Sequence, residues 1–316
     1  MVRIRSDRWR RTGAALVLAL SAGAAQALEV FACEPEWAAL ARVLAPDATV
    51  TSATHALQDP HHIEARPALI GALRRADLAV CTGASLEIGW LPVLQQRAGN
   101  PRVLPGQDGL LFAEQVVTLV DKRDRVDRSM GDVHAEGNPH LHLDPRRVKA
   151  VAQALAERLA RVDPANAAAY RQRYAAWAGE WDGHIAAWTA RARPLQGRPV
   201  AAQHTAFTYL WDWLGMRQVA DLEPKPGLPP TMSHLTQVLQ QVKQAPSVVV
   251  VRALHQDPQA SQWLARQAGV PLVVLPATVT ADGPTARLDG YFDTVIDALL
   301  RAAPPAAVAA SAPAAP

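Results

Sequence analysis

From Asp163-Pro164 to Arg193 the chain carries a helical pattern broken by no further proline and by only two glycines, Gly179 and Gly183. Tyr170, Tyr174, Trp177, Trp181, Ile185 and Trp188 recur along it at helical spacing. Asp163 followed by Pro164 is a start signal: the carboxylate accepts the first free N–H groups, and proline suits the first helical position. At 1.5 Å per residue such a helix spans roughly 45 Å. That exceeds the needs of one lobe, so the segment reads as a connecting backbone between two units. An ordinary helical hairpin broken near Gly179 or Gly183 is the competing reading.

Both flanks alternate strand and helix. On the N-terminal side the pattern predicts strands at 28–33, 49–53, 77–81 and 102–104, with helices at 36–44, 65–75 and 85–98. Asp121–Gly137 reads as a surface loop. Asp144-Pro145 then opens a helix to about Val162. On the C-terminal side strands are predicted at 199–202, 247–251 and 270–275, with helices at 206–214, 232–244, 258–267 and 288–302. Between them lies the proline-rich loop 223–230. Such alternation implies parallel sheets covered by helices. The expected fold is therefore α/β: two lobes, each a mainly parallel sheet flanked by helices, joined by the long helix, with a cleft between them. The expected units are a leader over 1–27, a lobe over 28–162, the connecting helix over 163–193, a second lobe over 194–302 and a disordered Pro/Ala tail over 303–316. Two lobes also suit 316 residues at about 150 per domain.

Arg3, Arg5, Arg8, Arg10 and Arg11 precede an apolar stretch from Gly13 to Gly23, and Ala25-Gln26-Ala27 fits a cleavage site. This is the pattern of a secretory signal. The apolar stretch is too short for a span, which takes about 20 residues, and no cysteine follows the site for lipid attachment. Export without a stable membrane anchor is expected. The exported chain meets an oxidising compartment with two cysteines, Cys33 and Cys81, each ending a predicted strand. A disulfide is possible if those strands are neighbours; two buried thiols are the alternative. The net charge is only +3, with no basic stripe and no aromatic–basic interleaving, so nucleic acid is excluded as a partner.

Three histidines far apart in the chain sit in settings that suit metal ligands: Asp59-Pro60-His61, Asn138-Pro139-His140 and Gln203-His204-Thr205. Proline before His61 and His140 stiffens the turn that carries the imidazole. Neutral imidazoles favour zinc. Ligands so scattered meet only when the whole chain folds, which places one site between two halves.

The motifs Asp-Pro-His-x-x-Glu (59–64), Asn-Pro-His-x-x-x-Asp-Pro (138–145) and His-x-x-Phe-x-Tyr-Leu (204–210), in order around a long helix, resemble those of the periplasmic solute-binding proteins of zinc and manganese ABC transporters. The resemblance covers nearly all of the chain after the leader. It implies a monomeric periplasmic binding protein, not an enzyme. Such a protein captures Zn2+, with Mn2+ the lesser alternative, and passes it to an importer's permease and ATPase. It implies His61, His140 and His204 as metal ligands, and histidine at the third position marks the zinc type. The chain departs from the family where many members carry a fourth, aspartate ligand after the last strand. Here Leu275 runs into Pro276-Ala277-Thr278-Val279. Asp282, His255 or water remain as the fourth ligand, and His134 is the one histidine able to assist from the preceding loop. His142 reads as a packing or supporting residue, and Glu64 and Asp144 as helix-start or supporting groups. Leu86–Trp90 and the Glu-Pro-Lys-Pro-Gly loop suggest a distinct subgroup.

Two other functions compete. His140-x-His142-x-Asp144 matches part of the core motif of a secreted zinc hydrolase, although a following histidine is replaced by Pro145. A surface adhesin is the third, without any adhesive repeat or anchor to support it.

Overall fold

A computed structural model describes residues 27–245 and 248–303. The predicted leader and Pro/Ala tail lie almost wholly outside the described residues. In the N-terminal lobe, strands β1 (Glu29–Ala32), β2 (Thr49–Ser52), β3 (Leu78–Cys81) and β4 (Leu110–Phe112) form one sheet in the order β2-β1-β3-β4. In the C-terminal lobe, β5 (Pro199–Ala202), β6 (Arg217–Asp221), β7 (Val249–Ala253) and β8 (Leu272–Leu275) repeat that order as β6-β5-β7-β8. Every pairing in both sheets is parallel. Parallel pairing follows from the helices between strands, which carry the chain back to the starting edge.

Helices α1 (Pro35–Leu44), α2 (Pro67–Arg75) and α3 (Leu91–Ala98) serve the first sheet. Helices α4 (Pro145–Val162) and α5 (Ala167–Arg191) link the lobes. Helices α6 (Thr208–Leu214), α7 (Met232–Gln244), α8 (Pro258–Ala268) and α9 (Leu288–Ala302) serve the second sheet. Each sheet is covered on both faces. The outer faces close two separate cores, around Leu73 and Leu94 in one lobe and around Val238 and Leu264 in the other. The inner faces share a single core running from Val30 and Val80 through α4 and α5 to Val251 and Phe292.

The long helix begins later than its start signal suggests, because Pro164–Asn166 forms a 3-10 turn. Trp181 and Trp188 are buried in the shared core, and both ring centroids lie within 6 Å of Phe292. Their indole N–H groups donate to Pro145 O and Asp293 Oδ1. Each large ring thus buries its apolar body while its polar edge finds a partner.

Three local differences from the sequence expectation have identifiable causes. The stretch 102–104 forms no strand, because Pro101–Val103 is a 3-10 turn: Pro101 follows Asn100, and the Asn100 side chain accepts from Arg102 N. The fourth strand lies at 110–112, after Gly109, where a Cβ would sit 2.4 Å from Arg102 O. Helix α3 starts at Leu91 and not at Ser85, because Gly83, Ala84 and Ser85 are all left-handed. Strand β6 was hidden in sequence by its exposed Arg217 and half-buried Gln218, Val219 and Asp221.

Cys33 and Cys81 end neighbouring strands and are joined by a disulfide closing 48 residues. Both are fully buried. Replacing both by alanine is expected to lower the unfolding free energy by about 2–4 kcal/mol through loss of the cross-link. Urea unfolding measures this, and a loss below about 1 kcal/mol would contradict it.

Candidate metal centre

The carboxyl ends of both sheets face one another across the cleft, where open α/β sheets gather ligands. His204 follows β5 and His255 follows β7. His61 comes from the long loop after β2. His140 sits just before the short turn that leads into α4. Folding brings the three predicted histidines together. Ring centroids are 5.9 Å apart for His61–His140, 5.9 Å for His140–His204 and 6.4 Å for His61–His204.

A fourth imidazole joins them. His134 stacks on His61 at 5.3 Å, and the two Nε2 atoms are 3.2 Å apart. Tetrahedral zinc with Zn–N bonds of about 2.0–2.1 Å has ligand nitrogens about 3.3 Å apart. That pair therefore already has the spacing of one tetrahedral edge. The other rings stand slightly wider than the roughly 5.2 Å between centroids that the same tetrahedron implies.

Carboxylates fix two of the rings. Asp59 Oδ1 lies 2.7 Å from His61 Nδ1, and Glu223 Oε2 lies 2.8 Å from His204 Nδ1. With Nδ1–H donated to the carboxylate, Nε2 is left as the lone-pair donor. Asp59 Oδ1 also accepts from His61 N, closing a tight turn that aims the ring. Burial raises the Asp59 pKa, but the hydrogen bond and charge of His61 outweigh it and hold the carboxyl well below its usual range. Burial drives His140 well below the ordinary histidine range, and the surrounding histidines add to the effect. Burial, then His61, lowers His134 to about 4. Both rings are neutral at pH 7, the form that binds metal.

The backbone around the cluster ties the lobes together. Asn138 Nδ2 donates to Thr205 O at 2.9 Å, beside His204, while Asn138 Oδ1 accepts from His140 N. Tyr209 donates its hydroxyl to Asn138 O. The proline-rich loop 223–230 holds the loop of His134: Asp132 N donates to Pro226 O and Lys225 Nζ to Ser129 O. Gly131, at φ +81°, leaves room for that approach; a Cβ there would lie 2.1 Å from Pro226 O.

His142 points elsewhere. Its Nδ1 is 3.0 Å from Glu36 Oε1 and its Nε2 is 2.8 Å from Ala277 O. Burial alone would lower its pKa, but the Glu36 charge wins and raises it. Asp144 caps α4 through Arg146 N and pairs with the Arg146 guanidinium. The His-x-His-x-Asp segment is thus split among three tasks, and the hydrolase motif does not assemble. Asp282 lies on an exposed turn whose carbonyl accepts from Thr280, and it does not line the cleft. His255 does line it. His62 and Glu64 are exposed, and His234 reaches Asp221 O.

Sequence reasoning missed the supporting acids Asp59 and Glu223, although Asp59 stands two residues before His61. It also missed a buried carboxyl pair beneath the cleft. Glu34 and Glu87 both accept from Thr82 N, at 3.1 and 2.7 Å. Burial raises Glu34 far above the usual range and Glu87 to about 7. A carboxyl whose folded pKa is raised adds stability below its unfolded pKa, and that stability is lost as pH rises through the folded value. The metal-free protein is therefore expected to lose stability from Glu87 as pH rises from about 4.5 through about 7, and from Glu34 to higher pH still. His134 and His140, whose values are lowered, contribute with the opposite sign only below the ordinary histidine value of 6.5. Glu87→Gln keeps an acceptor for Thr82 N and should flatten the fall in urea midpoints; equal slopes would count against it.

A family model described as "Zinc-uptake complex component A periplasmic" (ZnuA) matches residues 30–301, and the chain belongs to that family. A curated relative, "High-affinity zinc uptake system protein ZnuA" of Brucella abortus (strain 2308), is 26% identical over 104 residues. The match spans 33% of this chain and 31% of the relative, so about a third of that protein's length is matched. A crystal structure of ZnuA superposes with a TM-score of 0.75 at 21% identity, covering 88% of this chain and 100% of the other. The solute-binding protein FpvC from Pseudomonas aeruginosa, solved in complex with Mn2+, gives 0.72 at 22% identity, covering 88% and 98%. At these identities the superpositions establish the two-lobe fold.

Proposed function

We propose that this member of the periplasmic zinc-uptake family captures one divalent metal ion, zinc in preference to manganese. It then delivers the ion to the permease of an ABC-type importer driven by a partner ATPase. The observation that carries the reading is the convergence of His61, His134, His140 and His204 from three separated segments on one cleft. His61, His140 and His204 act as ligands, and His134 takes the fourth position in place of the family's aspartate. Asp59 and Glu223 orient their imidazoles. Residues 1–27 are removed on export, and the monomer acts as a carrier without turnover. In this reading 28–162 and 194–302 are the two lobes and 163–193 the connection.

Calorimetric titration of chelator-stripped protein with zinc tests this. One tight site per chain is expected. His134→Ala should weaken it by about tenfold, near 1.4 kcal/mol, because a half-exposed loop residue is the easiest ligand for water to replace. Absence of any tight site would end the carrier reading. An unchanged affinity in the variant would remove His134 from the ligand set.

A further inference from the structure

Five residues that line the cleft carry a buried polar atom with no hydrogen-bond partner among the described residues. Two of these atoms, Glu34 Oε1 and His142 Nδ1, belong to side chains that sit beside the buried carboxyl groups of Glu87 and Glu36. The other three are Gln58 Oε1 from the N-terminal lobe, with Gln203 Oε1 and His255 Nδ1 from the C-terminal lobe. Gln203 is 5% exposed, and its amide already donates to Asp257 O at 3.0 Å, so its oxygen is the free end. Leaving a buried polar atom unpaired forfeits its hydrogen bonds to water without replacement. Three on one cavity call for an occupant that offers N–H or O–H groups.

The cavity measures about 800 Å³. Small organic ligands occupy pockets of about 300–1,000 Å³, and an ion among four imidazoles fills little of that space. The cavity continues past the histidines to α8, where Trp263 and Arg266 line it beside Met232. Arg266 is exposed and has no carboxylate partner among the described residues. A guanidinium favours a carboxylate, an indole face favours a flat or apolar stem, and free amide oxygens favour an amine or hydroxyl.

We infer that the cleft admits the metal together with a small amino-carboxylate chelator. Its carboxylate faces Arg266, and its N–H donors face Gln58 and Gln203. The inference rests on the metal-carrier reading and names the form in which the cargo arrives. Zinc offers four positions, and His134, on a half-exposed loop, is the donor that such a co-ligand replaces.

L-Histidine, which carries an amine, a carboxylate and an imidazole, is a suitable probe. It would be titrated by calorimetry into the mature protein loaded with one equivalent of zinc, with the metal retained on the protein assayed afterwards. The expected result is one L-histidine bound per zinc-loaded chain with the ion retained. Arg266→Gln and Gln58→Leu should each weaken that binding by at least about tenfold, while zinc alone binds both variants as it binds the parent. No saturable binding, loss of zinc to the probe, or parent-like affinity in both variants would overturn the inference and leave the cleft to water. Failure of zinc alone to bind the parent is a separate result that removes the carrier reading itself.

Discussion

His140→Ala should abolish the tight zinc site, weakening binding by at least about 100-fold, or 2.8 kcal/mol. His140 is the most enclosed of the four rings, at 7% exposure, and stands 5.9 Å from both His61 and His204. Alanine there removes one donor and leaves the metal's charge facing an apolar gap. Water cannot repair it as readily as at the half-exposed His134. Outer-sphere partners of ligand histidines are typically worth 10–100-fold in affinity, and a buried ligand is worth more. The fold should survive: Asn138 Oδ1 accepts from the backbone N–H of residue 140, and Leu141 and Leu143 stay buried. Calorimetry beside circular dichroism measures both. Retention of tight binding by a folded His140→Ala protein would sink the four-imidazole site.

Zinc should bind at least about 100-fold more tightly than manganese to the parent protein. Manganese prefers hard oxygen ligands, and zinc is comfortable with imidazole in a tetrahedron. The nearest carboxylates, Asp59 and Glu223, face the Nδ1 atoms of His61 and His204 and are engaged there. Glu36 is engaged by His142. Competitive titration of the two ions decides this. Comparable affinities would mean that one of these carboxylates swings onto the metal, and whichever of Asp59→Asn, Glu223→Gln and Glu36→Gln removes it would then restore the preference for zinc.

The α/β alternation and the helix starts at Pro145, Met232 and Leu288 were legible in the chain because each rests on local physics: period, capping residue, proline at the first turn. Strand β6 and the non-helical stretch 85–90 were not. The first lacks an apolar run, and the second follows a left-handed run, Gly83 to Ser85, held by Glu87 and Glu114, which accept from Gly83 N and Ala84 N. Those acceptors come from the fold and not from neighbours in sequence alone.

The three spaced histidines, each in a stiff or strand-end setting, marked His61, His140 and His204 as one site, since proline and strand ends aim a side chain locally. Whether Cys33 meets Cys81 depended on β1 lying beside β3, which is a matter of strand order. His134, rather than Asp282, stands at the cluster because the proline-rich loop 223–230 clasps the loop that carries it. Likewise His142 turned to Glu36 and Ala277, though it follows His140 by only two residues. Sequence alone determined which side chains can bind metal, because that is their chemistry. Tertiary structure decided which of them converge, because convergence depends on contacts between segments more than 60 residues apart, such as Asn138 to Thr205 and His61 to His134.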